Sequence, residues 1–393
     1  MGAGERAEMN RYFQRVWWHL SGRNRIVRLS ARRPGARRAL LLYLNERWNP
    51  LDYWRKKSSH QNLHQAEDIA TILQKRGYDC DIVHYKNKSF KVASPYDLII
   101  SHRFDAGFLA CPKPASARYI CLTTTQAPQV HNTVARQRHE EVCTRREGTL
   151  SNFRDVSENL TFLRQADALA SFGDEVVAEG WRQKFGGPIH TFNNWYFEIP
   201  QPKEKDWAKA KTGFLFLASG SQVHKGLDLV LEAIQRLPQA RLYVCSYFKS
   251  EKDFCALYRR ELFNSPNVFP IGRINVRSAQ FQHLLAHTAF AILPSASEGS
   301  PGSIIQCAYG GLIPVVSRYC GSRWPESRMI PELTIDAVTR AMEECLALST
   351  ESVQQVSATV QQRVEREFSR AAFLRRWEEI LDAVTGPVVT LPS

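Results

Sequence analysis

From Arg38 onward, short apolar runs alternate with stretches whose apolar residues recur at helical spacing. Ala39-Leu-Leu-Leu-Tyr-Leu44 is apolar throughout, as suits a strand buried on both faces. Asp81–Tyr85, Leu98–His102, Tyr119–Thr123 and Ala168–Phe172 carry similar signatures. Between them, His60–Arg76 places Leu63, Ala66, Ile69, Ala70 and Leu73 on one helical face and stops at Gly77. Thr133–Arg146 and Asp174–Lys184 read as further helices, the second ending before Gly186-Gly187. Residues 196–212 are rich in Pro and Lys, lack apolar patterning and predict a linker. After it the alternation resumes. Strands are predicted at Phe214–Ala218, Arg241–Cys245, Val268–Pro270, Phe290–Leu293 and Ile313–Val316. Helices are predicted at Gly226–Arg236, Phe254–Phe263, Ala279–His287 and 303–309, with long helices over 331–384.

Such alternation with short turns implies parallel sheets covered on both faces. The expected fold class is α/β, with two doubly wound Rossmann-like domains facing a central cleft. The expected division is a basic amphipathic segment over 1–37, an N-terminal domain over 38–195, a linker over 196–212, a C-terminal domain over 213–370 and a last helical segment over 371–393. Ligands bind at the carboxyl ends of the strands in such sheets, so the loops at those ends hold the candidate chemistry.

The bulk numbers change this picture little. At 393 residues the chain is long enough for two cores. No apolar run of 18 or more residues occurs, so no membrane-spanning helix is expected. The first residues lack a signal-peptide h-region and cleavage site. Nine scattered cysteines contain no CxxC pair and read as reduced, buried thiols rather than metal ligands. The expected compartment is the cytoplasm.

Charge is more informative, because it is uneven. Residues 1–38 carry ten arginines against Glu5 and Glu8, a net +8 of the whole chain's +13. A nearly balanced body argues against a nucleic-acid partner. Phe13, Trp17 and Leu20 share one helical face among these arginines. Two readings stay open for the segment: attachment to an anionic membrane surface at the inner face of the membrane, or a helix packed on the body.

The most distinctive stretch runs from Pro294 through Glu298-Gly299-Ser-Pro-Gly302-Ser303 to Gly310-Gly311 and Pro314-Val315-Val316. It reads as strand end, glycine turn, short helix, glycine stop and next strand. The helix would aim its positive N-terminus and free N–H groups at whatever lies over Glu298 to Ser303, which suits a diphosphate. Glu298 stands where a carboxylate accepts sugar hydroxyls. A second loop, Gly220-Ser221-Gln-Val-His-Lys225-Gly226, follows the first strand of the C-terminal half and opens a helix. Lys225 would offset negative charge on a leaving diphosphate. Arg273, after Gly272, is a candidate contact to the base or diphosphate, and Gln306 to a ribose hydroxyl. The donor-binding set is therefore Gly220, Ser221, Lys225, Arg273, Glu298, Gly299, Ser300, Gly302, Ser303 and Gln306. In the first half, His102 ends a strand and is a candidate for placing a sugar or exchanging a proton. Gln126, His131 and Arg138 are candidates for the acceptor side. No Cys/His metal constellation is present, so neither metal nor cofactor is expected.

These residues together resemble a retaining glycosyltransferase of the group 1 (family four-like) type with the GT-B fold. The likeness covers Phe214 to about Val316 well and the first domain loosely. Within that type, the Val223–Asp228 and Gly272–Arg277 stretches are similar to a bacterial branch of surface-polysaccharide assembly. The resemblance implies a nucleotide-sugar donor held in the C-terminal domain by Lys225 and Glu298, and a glycan or lipid-linked acceptor in the N-terminal domain. It also implies retention of configuration and a last helix, Ala371–Val384, that crosses back to the first domain. Two positions depart from the family pattern. Its second glutamate is Gln306 here, and the arginine six residues before its lysine is Ser219. The alternatives are a nucleotide-sugar epimerase or hydrolase on the same fold, and a catalytically inactive membrane- or nucleic-acid-surface binding protein.

Overall fold

A computed structural model describes residues 23–49, 61–202 and 204–387. The aromatic-and-arginine helix expected around Phe13, Trp17 and Leu20, and His60 at the start of the first predicted helix, lie outside the described residues. The N-terminal sheet contains β1 (Ile26–Leu29), β2 (Arg37–Tyr43), β3 (Tyr78–His84), β4 (Leu98–Ser101), β5 (Arg118–Thr123), β6 (Ala168–Phe172) and β7 (Ile189–Phe192). Their spatial order is β1-β3-β2-β4-β5-β6-β7. Every pairing is parallel except that of β1 with β3. The unbroken apolar run of β2 has a direct cause. Ala39, Leu41 and Tyr43 enter one core cluster, Leu40 and Leu42 the cluster on the opposite face. Alternation along a strand sends neighbours to opposite faces, and here both faces are covered.

Helices α1 (Gln61–Lys75), α2 (Pro128–Arg145) and α3 (Glu175–Arg182) cover this sheet. In α1 the predicted apolar face is the buried one. Helix α2 begins five residues before the predicted Thr133. Pro128 sits in its first turn, where the missing N–H costs nothing. Its inner face buries His131, Asn132 and Arg138 as well as Val134, Ala135 and Val142, so apolar periodicity does not mark it.

The C-terminal sheet contains β8 (Gly213–Leu217), β9 (Arg241–Cys245), β10 (Val268–Pro270), β11 (Phe290–Leu293), β12 (Ile313–Ser317) and β13 (Arg328–Ile330). Its order is β10-β9-β8-β11-β12-β13, parallel throughout. Numbered from its own first strand, this is the doubly wound order 3-2-1-4-5-6. The order in which strands are added reverses between β8 and β11, and a crevice forms where their outgoing loops part. Those loops carry Lys225 and Glu298. Helices α4 (Leu227–Ile234), α5 (Ala279–His287), α6 (Gly302–Tyr309), α7 (Ile335–Ala347), α8 (Thr350–Glu367) and α9 (Arg370–Thr385) complete the domain.

Helix α9 returns to the first domain. Phe373 and Trp377 meet the ring of Phe192 at 6.0 and 5.1 Å. Arg370 pairs with Asp68, and Arg76 donates to Asp382 at 2.7 Å. Residues 196–212 are less free than a linker. Phe197 and Ile199 are buried in the core, and Trp207–Ala210 forms one helical turn. Ile26, Val27 and Leu29, read with the basic segment, instead pair as an antiparallel edge strand. At four residues, with Arg28 on its outer side, that strand gives little periodic signal.

Candidate functional site

Gly226 fixes the geometry of the first loop. It has φ +77° at the N-cap of α4, and a Cβ there would run into the backbone oxygen of Pro294. Only glycine lets the two loops come this close. The approach brings Lys225 Nζ onto Glu298 Oε1 as an ion pair, and Ser295 Oγ donates to the same oxygen at 3.0 Å. Burial pushes the Lys225 ammonium below its ordinary value, with Glu298 opposing that fall. Burial alone would raise the Glu298 carboxyl, but Lys225 and then Arg154 outweigh it and hold it below the ordinary range. Two cations thus attend one carboxylate.

The pair opens onto a cavity of about 550 Å³ between the domains. The C-terminal domain contributes Lys225, Arg273, Glu298, Ser300, Gly302, Ser303 and Gln306, seven of the ten expected donor residues. Gln61, Thr124, Arg154 and Asn194 face them from the other domain. Gly302 starts α6 beneath the amides of Gln61 and Asn194, and a Cβ there would collide with Gln61. Asn194 N–H donates to Ser300 Oγ at 3.0 Å, which ties the α6 entry to the first domain.

Three expected donor residues do not line the cavity. Ser221 and Gln222 donate their backbone N–H groups to the carboxylate of Glu251 at 2.6 and 3.1 Å, so the Gly220-Ser221 turn is already capped. Gly299 packs on the first domain, where a Cβ would stand 2.7 Å from the Thr124 carbonyl oxygen.

Gln306 lines the cavity, but its amide is engaged. Its Oε1 accepts from Phe197 N–H at 2.8 Å and its Nε2 donates to Phe197 carbonyl at 3.1 Å. A carboxylate makes only the first of these bonds. Gln306→Glu is therefore expected to destabilise the protein by about 1–3 kcal/mol, leaving a buried carbonyl facing a carboxylate. Denaturant unfolding measures this; an unchanged midpoint would contradict the assigned bonds.

The residues expected to place sugar and acceptor sit elsewhere. His102 does not line the cavity. Tyr43, Tyr85 and Phe104 surround its ring at 4.8 to 5.6 Å, and Nδ1 donates to the Leu122 carbonyl at 2.9 Å. Gln126 Nε2 donates to Tyr319 carbonyl at 3.2 Å across the domain boundary. His131 Nδ1 meets Ser297 Oγ at 2.9 Å, also across it. Arg138 pairs with Asp228 of the opposite domain and with Glu141. These three residues fasten the domains together rather than line the opening.

Burial holds both His102 and His131 down to about 4, and the charge of Arg154 adds to the effect at His131. In the unfolded chain both would protonate below about pH 6.5. The unfolded state binds more protons between those limits, so stability is full above about pH 6.5 and falls as pH drops toward 4. His102→Gln is expected to flatten this decline in Tm while leaving turnover within about threefold of wild type, because the ring is packed rather than presented to ligand. A large loss of turnover in the folded variant would return His102 to the chemistry.

Arg154, Asn194 and Tyr247 also line the cavity and have no periodic signal in the sequence. Among the described residues, no three His, Cys, Asp or Glu side chains converge as a metal site requires. No described helix is long and apolar enough to cross a membrane. All nine cysteines are unpaired.

No protein-family profile matches this chain, and no curated protein sequence does. Solved structures do. Sucrose-phosphate synthase from Thermosynechococcus elongatus superposes with a TM-score of 0.58 at 13% identity, over 88% of this chain and 99% of that one. WaaG, a glycosyltransferase involved in lipopolysaccharide biosynthesis, gives 0.48 at 12% identity over 88% and 99%. TarM gives 0.49 at 12% identity over 72% of this chain and 54% of its own, so the chain spans about half the length of TarM. The fold is GT-B: two parallel-sheet domains facing one cleft.

Proposed function

We propose that this protein is a glycosyltransferase that moves a sugar from a nucleoside-diphosphate donor to a hydroxyl of a glycan or lipid-linked saccharide. The observation that carries the reading is the Lys225–Glu298 pair at the reversal point of the C-terminal sheet, open to a cavity that both domains wall. The GT-B fold supports it.

In this scheme the diphosphate takes Lys225 as its counter-ion, with the first N–H groups of α6 beside it. Glu298, released from Lys225, accepts hydroxyls of the donor sugar. The bond from the anomeric carbon to the diphosphate oxygen breaks, the acceptor oxygen bonds to that carbon, and the acceptor proton ends on the departing diphosphate. The fastened domains keep water out and align the two substrates. The scheme includes no metal and no cofactor. Retention of configuration and a place in cell-surface polysaccharide assembly are part of the proposal and rest on the family resemblance.

Incubating the full chain with each nucleotide sugar, with and without glycan acceptors, tests the reading by mass spectrometry. Nucleoside diphosphate released only with acceptor supports transfer. Equal release without acceptor would make the protein a hydrolase, and an isomerised donor an epimerase.

The proposed location is the cytoplasm, with peripheral attachment to an anionic membrane surface. Arg25, Arg28, Arg32 and Arg33 are exposed on and beside β1, continuing the positive charge of the preceding segment. The full chain is expected to float with vesicles of acidic phospholipid and to lose this on removal of residues 1–35. Equal flotation after removal would contradict attachment through the segment.

A further inference from the structure

The cavity holds more positive charge than its own carboxylate neutralises. Lys225 is paired with Glu298. Arg154 and Arg273 line the same cavity, and neither guanidinium makes an ion pair or hydrogen bond among the described residues. Unpaired cations facing an opening attract an anion. On the β8 side, Glu251 takes the N–H groups of Ser221 and Gln222 and adds a negative charge there. Ser219, at the cavity wall, offers only a small hydroxyl.

The two arginines differ in position. Arg273 follows β10 and lies over the ring of Tyr247, 5.5 Å from its centroid, beyond the outer strands of the C-terminal sheet. Arg154 belongs to the other domain. His131 Nε2 donates to the Arg154 carbonyl at 3.2 Å, while His131 Nδ1 meets Ser297 Oγ, one residue from Glu298. This chain of contacts anchors the Arg154 backbone beside the Lys225–Glu298 end. The charge of Arg154 is felt by both members of that pair.

From this placement we infer that Arg154 reaches across the cleft to hold the donor's diphosphate, so that the diphosphate site is complete only when both domains meet. The inference rests on the proposed donor-binding reading and adds to it the second cation and its origin in the opposite domain. The charge of the diphosphate is then shared between the two domains. The Arg154 side chain is exposed and its anchoring contact is through the backbone, so Arg154→Ala leaves the fold intact.

The test is calorimetric titration of the full chain with UDP, GDP, ADP and dTDP and with the matching monophosphates. Wild type is expected to bind one diphosphate. Arg154→Ala is expected to weaken that binding by about tenfold or more, the worth of a charge-assisted hydrogen bond, while the monophosphate of the same base changes less than about twofold. Adding Ser219→Arg supplies a guanidinium from the C-terminal wall and is expected to recover part of the loss. Unchanged diphosphate binding in Arg154→Ala would overturn the inference while leaving donor binding standing. An equal loss for mono- and diphosphate would also overturn it. Wild type that binds none of the four would remove the donor-binding reading, and this inference with it.

Discussion

Alanine in place of Lys225 is expected to lower turnover by about 10²–10³-fold, the usual cost of removing a preorganised group that meets charge in the transition state. Glu298→Ala should cost a similar factor, since it removes the carboxylate assigned to the donor sugar. Each single change also leaves a buried partner charge unmatched, and breaking such a pair costs about 3–5 kcal/mol. Lost activity could then be mistaken for lost fold. The double variant Lys225→Met with Glu298→Leu separates the two effects. It removes both charges from a buried site, so it should recover much of the stability while remaining inactive. Near-normal turnover in a folded single variant would take that residue out of the mechanism.

The second large effect is expected at Asp228, which does not line the cavity. Asp228 is fully buried and pairs with Arg138 and, at 3.0 Å, with Arg145. Arg145 and Arg146 also reach Glu232, and Arg146 reaches Glu261. The cluster joins α2 of the first domain to α4 and the short helix Arg259–Phe263 of the second. Asp228→Asn removes the anion shared by two arginines, one of them only 2% exposed. The expected loss is about 3–5 kcal/mol in denaturant unfolding. Arg138→Met should cost less, because Arg145 still answers Asp228. The reverse ranking would mean that the cluster does not hold the domains as described.

The parts of this molecule readable from sequence are those whose signal is local. The apolar run of β2 is long because both faces are covered, and the alternation of strand and helix follows from parallel pairing. Lys225 and Glu298 stand out because a tight glycine loop must bring each to the sheet edge. What the sequence hid depends on how the domains meet. Gln126 follows strand β5, and His131 and Arg138 lie on helix α2. Whether such residues line the opening or bridge to the other domain is decided by partners more than 80 residues away in the chain, such as Asp228 and Tyr319. Gln306 is similar: its identity makes sense only once the backbone of Phe197 crosses its path. Arg154 lies in an irregular loop with no periodicity, and nothing in its neighbours' types announces a cavity. The edge strands β1, β7 and β13 are three or four residues long, too short for a period to show.

The measurement that bears most directly on the central claim is thermal stabilisation by UDP-, GDP-, ADP- and dTDP-sugars and the bare nucleotides, on wild type and Lys225→Met in parallel. A ligand that binds only the folded state raises Tm by linkage. The expected result is a rise with the donors of one base, absent or strongly reduced in Lys225→Met. No rise with any donor at millimolar concentration, or an equal rise in the variant, would contradict donor binding at the Lys225–Glu298 pair.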